Sequence, residues 1–373
     1  MRTAGRGGDG VSRRRGTGDG PGGGLGDVVE VAFVVPRSGP AGLFGPACES
    51  CGALAVAELN AAGGVLGREV RLHVVDGGRA PAQVATEVGA LVEAGAVQAV
   101  SGWHISAVRQ EIAPRVSGRV PYVYAPLYEG GERTPGVFLA GETPDRQVLP
   151  GLRWMAAELG VRTWCIVGDD YVWPRVSARA ARSWARTTPD VRILDQVFVP
   201  LGTEDFGAAL ERVLRSGAQG VLMFLVGSDA VRFNRAFAAA GADRRCVRFS
   251  PLMEENMLLA SGPSRELYSA AAWFESLPTA AGLDFSRRYV ERFGPRAPVP
   301  GALAESCFEG LTLLARLAER AGSLDVGAVS GAGEGIAYES PRGDVALVHN
   351  HLRQDVYLAR SDGLEFDVLA RLT

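Results

Sequence analysis

Two neighbouring carboxylates and two aromatic rings stand together where an apolar run ends in the middle of the chain. Residues 162–175 read RTWCIVGDDYVWPR, so that Asp169 and Asp170 end the apolar run and Tyr171 and Trp173 follow. A carboxylate can accept hydrogen bonds from an amide or ammonium group, and the rings can enclose a small uncharged or zwitterionic ligand. Alternatively, one aspartate only caps the helix that follows. We expect no metal here, because no histidine or third acid stands at ligand spacing.

A second cluster able to bind a carbonyl or carboxylate is SGWHISAVR, residues 101–109. The pattern predicts a strand that ends near Gly102 and a helix that begins near Ser106, whose first backbone N–H groups could bind a ligand oxygen. His104 and Trp103 would face the same crevice. Ser106 could instead do no more than cap its own helix. A hydrolase would need His104 as a base for Ser106, or a cysteine nucleophile, and the pattern G-x-S-x-G is absent.

Three tyrosines lie close together in the third cluster, YVYAPLYEGGE at residues 122–132. Tyr122 and Tyr124 share one face of a predicted strand, and Tyr128 follows beyond its end beside Glu129. Two phenols on one face of a buried strand need hydrogen-bond partners for their hydroxyls. They are therefore either ligand contacts or core tyrosines bonded to the backbone.

The elements that must position these clusters alternate between strand and helix from residue 28 onwards. Apolar, β-branched runs predict eight strands at 29–35, 69–76, 96–102, 120–126, 163–168, 191–200, 220–227 and 247–252. Helical patterns of 10 to 18 residues separate most of them, which implies βαβ units and parallel sheets. The fold class is therefore α/β, with two mostly parallel sheets flanked by helices.

The alternation of strands and helices starts again near residue 145, and this predicts two lobes with a cleft between them. We expect residues 28–147 plus 276–335 to form the N-terminal lobe, and 148–275 plus 336–373 to form the C-terminal lobe. Ligands of open α/β sheets bind outside the carboxyl ends of the strands, where all three clusters lie. The cleft is thus the expected binding site.

Composition excludes several classes of function. The chain has 373 residues, 47% of them hydrophobic and 22% charged, with a net charge of −3. There is accordingly no electrostatic case for nucleic acid or an anionic membrane surface as a partner. The chain contains no lysine, which excludes a Schiff-base lysine and a phosphate-loop lysine.

The cysteines and the N-terminal segment bear on compartment. Five cysteines at irregular spacing make no disulfide framework, and Cys48 and Cys51 form a C-x-x-C that is either core packing or a redox pair. Residues 1–27 are rich in Gly and Arg, so we expect a disordered tail. No secretory signal or membrane span is visible. We expect a cytoplasmic protein as written, or a periplasmic or cell-surface one if the start codon is mis-assigned.

Several motifs resemble one known family. The segment 34–72 contains ELNAAGGVLGR and resembles the opening of type I periplasmic-binding-protein folds of the leucine/isoleucine/valine-binding kind. The three clusters resemble the branch that holds the short-chain amide sensor and urea-binding proteins, with its patterns G-x-Y-x-S-x-x-R, Y-x-x-x-Y-E-G-x-E and G-S-D-Y-x-Y-P-R. The resemblance runs from about residue 29 to the end. It implies a Venus-flytrap receptor with two lobes, three crossovers and a ligand held in the cleft.

The resemblance also implies roles for particular residues. Ser106, Tyr124, Tyr171 and Trp173 occupy the positions that hold the amide ligand in that branch. Asp170 would fix its orientation. The remaining residues expected to bind the ligand are Trp103, His104, Tyr128, Val226 and Gly227.

Three positions depart from the branch. His104 and Trp173 stand where it has tyrosines, and Pro126 replaces a small polar residue. Fewer hydroxyls and a larger indole predict a more apolar or aromatic amide or amino-acid-like ligand than acetamide or urea.

The sequence thus predicts a non-enzymatic receptor without cofactor that binds a small amide, urea or amino-acid-like solute. Closure of its lobes would signal to a regulator protein or deliver the solute to an ABC permease. The first alternative is an ABC-importer protein for branched-chain amino acids, and a remote one is an amidohydrolase. A homodimer is possible in such a family, and direct insertion into a membrane is not expected.

Overall fold

Two largely parallel sheets organise the chain in a computed structural model that describes residues 28–262 and 264–373. The strands are β1 Val28–Val35, β2 Glu69–Asp76, β3 Ala99–Gly102, β4 Tyr122–Tyr124, β5 Val137–Leu139, β6 Thr163–Asp169, β7 Arg192–Val199, β8 Gly220–Phe224, β9 Val247–Ser250, β10 Leu267–Ala271, β11 Ala337–Ser340, β12 Gly343–Val348, β13 His351–Arg353, β14 Tyr357–Ser361 and β15 Phe366–Arg371. The helices are α1 Gly45–Ala61, α2 Pro81–Glu93, α3 Ser106–Val116, α4 Val148–Glu158, α5 Val172–Thr187, α6 Gly207–Ser216, α7 Ser228–Ala239, α8 Glu255–Ser261, α9 Ala280–Phe293, α10 Ala302–Ala321 and α11 Val326–Ala332.

Each sheet forms the centre of one lobe. The first has the order β11-β12-β13-β5-β4-β3-β1-β2 and the second β15-β14-β10-β9-β8-β6-β7. Within them, β1 to β5 and β6 to β10 pair in parallel, while the strands after α11 pair mostly antiparallel. We call the two halves the N-terminal and the C-terminal lobe. The predicted two-lobed α/β fold is confirmed.

The chain crosses between the lobes three times: after β5, after β10 and after β13. The predicted boundary of the last crossing was wrong. Residues from 336 onwards were expected in the C-terminal lobe, yet β11 to β13 extend the first sheet through the pairing of His351 with Leu139. Only β14 and β15 join the second sheet, so the return falls at residues 354–356. Short antiparallel strands carry no local signal of the sheet that they join.

Helix α5 shows how a sequence pattern orients one wall of the cleft. Its buried side chains include Trp173, Ser177, Ala181 and Ala185, spaced four residues apart, while most of its arginines are exposed. This spacing gives one apolar stripe along the helix, which packs on β7 and β8. Trp173, in the first turn, is therefore held at the carboxyl end of the second sheet.

One expectation concerns residues that the structure does not describe, and three short elements were not predicted. The predicted tail, residues 1–27, lies outside the described residues. Strand β5 and helices α8 and α11 were not predicted, because each is only three to seven residues long. Among the described residues, no helix is both long and apolar enough to cross a bilayer.

Candidate functional site

A small cavity lies between the lobes at the carboxyl ends of β3, β4, β6 and β9. Its free volume in this closed structure is about 10 Å³, room for little more than one water molecule. Seven lining residues come from the N-terminal lobe: Trp103, His104, Ile105, Ser106, Tyr124, Pro126 and Leu127. Three come from the C-terminal lobe: Tyr171, Trp173 and Leu252. The structure thus brings parts of all three sequence clusters to one cavity.

Ser106 stands at the start of α3, as expected, but it does not cap that helix. The N-cap residue is Ile105, and no side chain caps the helix. Val108 and Arg109 donate the first helical bonds to the Ile105 carbonyl, which leaves the amides of Ser106 and Ala107 without an acceptor in the helix. The Ser106 hydroxyl accepts a hydrogen bond from the Arg109 guanidinium at 3.2 Å. This corner of the cavity therefore offers a hydroxyl and two backbone donors.

His104 lines the cavity, yet both its ring nitrogens are engaged within the N-terminal lobe. Nδ1 lies 3.1 Å from the Val34 carbonyl oxygen, which can only accept, so Nδ1 carries the hydrogen. Nε2 then accepts from the Tyr122 hydroxyl at 2.5 Å. Burial lowers the pKa of His104 to about 3, so the ring is neutral at pH 7. The ring has no free nitrogen with which to act as a base on Ser106.

The two other tyrosines of the third cluster have different surroundings. Tyr124 lines the cavity while its hydroxyl donates to the His104 carbonyl oxygen at 2.6 Å. It is therefore both a backbone-bonded core tyrosine and part of the wall. Tyr128 does not line the cavity, because its hydroxyl is paired with His351 Nε2 of β13. The chain leaves the cavity wall after Leu127, and the contact of Tyr128 with a ligand stays a prediction.

Behind Ser106 lies a buried cluster of charges that sequence reasoning did not single out. The Arg109 side chain is 2% exposed and donates to Glu129 at 2.8 Å and to Glu132 at 3.1 Å. Its guanidinium carbon lies 5.1 Å from the centre of the Tyr124 ring and 4.9 Å from that of Tyr128. The motif spacing S-x-x-R was the available signal, because residues three apart on a helix are neighbours.

The C-terminal lobe contributes aromatic side chains to the cavity wall. The Tyr171 and Trp173 ring centres lie 6.3 Å apart, and Trp173 packs edge-to-face on Phe224 of β8 at 5.5 Å. Trp173 is 3% exposed in this closed structure. From the other side, Trp103 packs on Phe44 at 4.9 Å, and its indole Nε1 is buried without a hydrogen-bond partner among the described residues. An unpaired indole N–H in a cavity wall is a candidate donor to a ligand.

The two adjacent aspartates have different surroundings. Asp170 was expected to orient the ligand, but its side chain is about half exposed and bonds Arg175 at 2.7 Å. Asp169 is fully buried and accepts from the Val226 amide at 2.7 Å. Burial and the nearby carboxyl of Asp229 raise the pKa of Asp169 well above its ordinary value. The carboxylate that the strand delivers is thus a support for backbone and not a ligand group.

Val226 and Gly227 do not line the cavity either, and their segment makes a contact between the lobes; their contact with a ligand stays a prediction. The amide of Ser228 donates to the Pro40 carbonyl oxygen of the N-terminal lobe at 2.9 Å. Gly227 has φ +52°, and a Cβ there would lie 2.1 Å from the same oxygen. Asp169 holds this segment through the Val226 amide, and the neighbouring Asp229 accepts from the Gly202 amide at 2.6 Å.

A second contact between lobes involves Glu254. Its carboxylate accepts from the Leu303 amide at the start of α10 at 2.9 Å, and burial raises the pKa of Glu254 to about 7. A negative group is favoured at a helix N-terminus. The lobes therefore touch on two sides of the cavity, and the structure is a closed one.

The cavity can hold a ligand, but its described residues include no group arranged to catalyse a reaction. The cavity has donors at one end and rings along its walls, with no activated nucleophile. Burial raises the pKa of Cys165 to about 11, and Cys48 and Cys51 are also buried with raised pKa values. Ile105, Leu127 and Leu252 line the cavity and were missed. Leu252 could have been found from its place after the carboxyl end of β9.

Comparison with known proteins agrees with this geometry. A family model described as periplasmic binding protein matches residues 28–365. The chain belongs to the periplasmic binding protein family. Leu/Ile/Val-binding protein homolog 6 of Brucella melitensis is 27% identical over 349 residues, which cover 89% of this chain and 87% of that protein. The type I fold predicted from the motifs is confirmed, whereas the amide and urea branch stays a prediction.

Solved structures share the fold at lower identity. An ABC-transporter solute-binding protein from Rhodopseudomonas palustris in complex with p-hydroxybenzoic acid has a TM-score of 0.82 at 23% identity, covering 92% of this chain and 97% of that one. The branched-chain amino acid transporter substrate-binding protein LivJ of Streptococcus pneumoniae, in complex with isoleucine, has a TM-score of 0.80 at 17% identity, covering 92% and 99%. At these identities the likeness establishes the fold.

Proposed function

We propose that this protein is a solute-binding protein whose lobes close on a small, uncharged, planar molecule with a carbonyl group, of the amide or urea class. The observation that carries this proposal is the chemistry of the cavity wall. Its ten residues include a hydroxyl, an unpaired indole N–H and three more aromatic side chains, but no carboxylate and no arginine. Its histidine is neutral, with both nitrogens engaged.

Charge balance separates the amide class from an amino acid. A buried ion without a counter-charge is costly, and none of the ten lining residues is an acid that could pair with an α-ammonium. Glu142 and Glu254 line the adjoining space, but they already accept from the amides of Ala272 and Leu303. Asp170, the acid predicted for that purpose, is exposed and paired with Arg175. The amides of Ser106 and Ala107 with the Ser106 hydroxyl suit a neutral carbonyl oxygen. The cavity is narrow in this closed structure, which favours a small solute over a large one.

An aromatic carboxylate is the second candidate. Trp103, Tyr171 and Trp173 supply aromatic wall contacts for a benzene ring, and the Arg109 guanidinium bonds Ser106 from behind. The Rhodopseudomonas protein named above was solved with p-hydroxybenzoic acid. Against this candidate, two glutamates already pair with Arg109.

Matched pairs of ligands decide between these classes. We would compare acetamide with acetate, 4-methylpentanamide with 4-methylpentanoate and leucine, and benzamide with benzoate, by thermal shift and calorimetry. The amide member of at least one pair should bind more tightly than its acid. Tighter binding of the acid in every pair, or of leucine, would reject the neutral class.

Variants test the site itself. Removing a ring contact with Trp173→Ala or a hydrogen bond with Ser106→Ala should each weaken binding by about tenfold. Trp184→Ala, on the same helix as Trp173, and Ser117→Ala, at the far end of α3, are the controls, because neither residue lines the cavity. A bound solute whose affinity is unchanged in both cavity variants would refute the site assignment.

The role of closure is a further part of the proposal. We favour delivery to an ABC permease over signalling to a regulator, because the solved relatives named above are described as transporter proteins. Delivery requires a location outside the cytoplasmic membrane, and a regulator partner suits a cytoplasmic one. Fractionation of the native host with antibody detection distinguishes them: a wholly cytosolic protein that co-purifies with a regulator would overturn the delivery role.

A further inference from the structure

The buried charged residues behind Ser106 do not line the cavity, so none of them is expected to contact a ligand directly. Arg109 reaches three groups at once: the Ser106 hydroxyl at 3.2 Å, Glu129 at 2.8 Å and Glu132 at 3.1 Å. The side chains of the three charged residues are 2%, 4% and 10% exposed. An arginine of this kind behind a serine would by itself attract a ligand carboxylate into the cavity.

The two glutamates more than cancel that attraction. The second oxygen of Glu132 accepts from the amides of Arg133 and Thr134 at 3.0 and 2.9 Å. Burial would raise the pKa of Glu132, but the bonds from Thr134 and the charge of Arg109 outweigh it and lower the pKa. The Oε2 atom of Glu129 is buried without a partner among the described residues. One cation thus faces two carboxylates in a space that excludes water.

We infer that Glu129 and Glu132 make the cavity select against anionic ligands, and that Arg109 is a positioning residue that holds Ser106 as a donor. This inference rests on the proposed function, since it concerns the same cavity. A guanidinium only donates hydrogen bonds, so Ser106 Oγ accepts from Arg109 and keeps its own hydrogen for a ligand carbonyl. The carboxylates remove the positive potential that would otherwise favour an acid over its amide.

The test changes one charge and leaves the shape unchanged. Glu129→Gln keeps an oxygen for Arg109 and removes one negative charge. We measure dissociation constants of benzamide and benzoate, and of 4-methylpentanamide and 4-methylpentanoate, by calorimetry. The preference for amide over acid should fall by about tenfold in Glu129→Gln, as expected for one partly screened buried charge. Glu132→Gln is the second variant and should act in the same direction.

The ratio of two affinities separates charge selection from damage to the fold. A merely structural role would weaken both members of a pair and leave their ratio unchanged. Glu111→Gln, an exposed glutamate on α3, is the control and should not alter the ratio.

An unchanged ratio in both Glu129→Gln and Glu132→Gln would overturn the inference while the proposed function stands. If the wild type binds no member of any pair, the proposed function fails. The inference then predicts that Glu129→Gln gains binding of an acid, and it fails too if no acid binds.

Discussion

On the N-terminal side of the cavity, the wall is held by hydrogen bonds and ion pairs that lie wholly within one lobe. His104 bonds Val34 and Tyr122, and Arg109 bonds Glu129 and Glu132. On the C-terminal side, the wall consists of rings set on apolar packing, and the polar groups nearby support backbone that touches the other lobe. The N-terminal wall is thus held in place without the other lobe, while the C-terminal wall meets a ligand bound there only after the lobes close.

This difference suggests an order of events. A solute can bind the donors of Ser106 and α3 while the lobes are apart, because those donors depend only on the N-terminal lobe. Tyr171 and Trp173 then add contacts only in the closed state, so the solute shifts the population towards closure. Variants on the first wall should therefore affect stability, and variants on the second should affect closure.

The largest effect is expected from Arg109→Met. Removing one partner of a buried ion pair leaves uncompensated charges and costs about 3–5 kcal/mol of the free energy of unfolding. Arg175→Met is the matched change on the second wall, where the pair with Asp170 is about half exposed. We expect it to cost at most about 1 kcal/mol. Urea unfolding of both variants measures the contrast, and equal losses would contradict the difference between the walls.

The second largest effect concerns how the free energy of unfolding depends on pH. The pKa of His104 is about 3 in the folded protein, while the unfolded imidazole takes up a proton near 6.5. The free energy of unfolding should therefore fall as pH drops below 6.5, by about 2 kcal/mol at pH 5 from this group alone. In His104→Gln this part of the dependence should be lost. A smaller dependence would remain, because burial also lowers the pKa of His351.

Urea unfolding between pH 7.5 and 4.5 measures this slope. His73→Gln is the control, an exposed histidine on β2. The assignment would be wrong if His104→Gln and His73→Gln had the same pH profile.

Local sequence predicted the positions of the strand ends well and the partners of individual side chains poorly. The run 163–168 and the helical pattern after it placed Tyr171 and Trp173 at the cavity, because a buried strand of that length must end at the sheet edge. The pattern could not choose between Asp169 and Asp170. That choice depends on the Val226 amide and on Asp229, which belong to distant segments.

The same limit explains the other corrections. Gly227 was expected to contact ligand, but its surroundings are set by Pro40 of the opposite lobe, which no local pattern reveals. Strands β11 to β13 join the sheet whose edge β5 leaves open, and β5 itself has only three residues. One contact was accessible from the sequence: the spacing of Ser106 and Arg109 on one helix predicts their hydrogen bond.

A third test acts on closure through Gly227→Ala. The backbone at this residue, φ +52° and ψ −117°, is strained for alanine, and the added Cβ would overlap the Pro40 oxygen. We expect the lobes to be held apart and solute affinity to fall about tenfold or more. Gly241→Ala is the matched control, since its φ is +61° but a Cβ there meets nothing within 4 Å.

Small-angle scattering and calorimetry measure the two consequences. The radius of gyration should increase in Gly227→Ala and stay unchanged in Gly241→Ala. An unaltered affinity in Gly227→Ala would show that the contact with Pro40 does not take part in closure.

The smallest expected effect compares the two adjacent aspartates of the second wall. Burial raises the pKa of Asp169 above its unfolded value, so its contribution to stability is greatest below the ordinary aspartate range and is lost as pH rises through the folded pKa. The hydrogen bond from Arg175 lowers the pKa of Asp170, so its contribution is present at neutral pH and is lost in acid. Asp169→Asn should therefore gain stability relative to wild type as pH rises, and Asp170→Asn should lose it. Urea unfolding from pH 4 to 8 gives both differences. Slopes of the same sign would mean that Asp169 is ionised like its neighbour, and the segment from Val226 to Ser228 would then rest on a charge and not on a protonated pair.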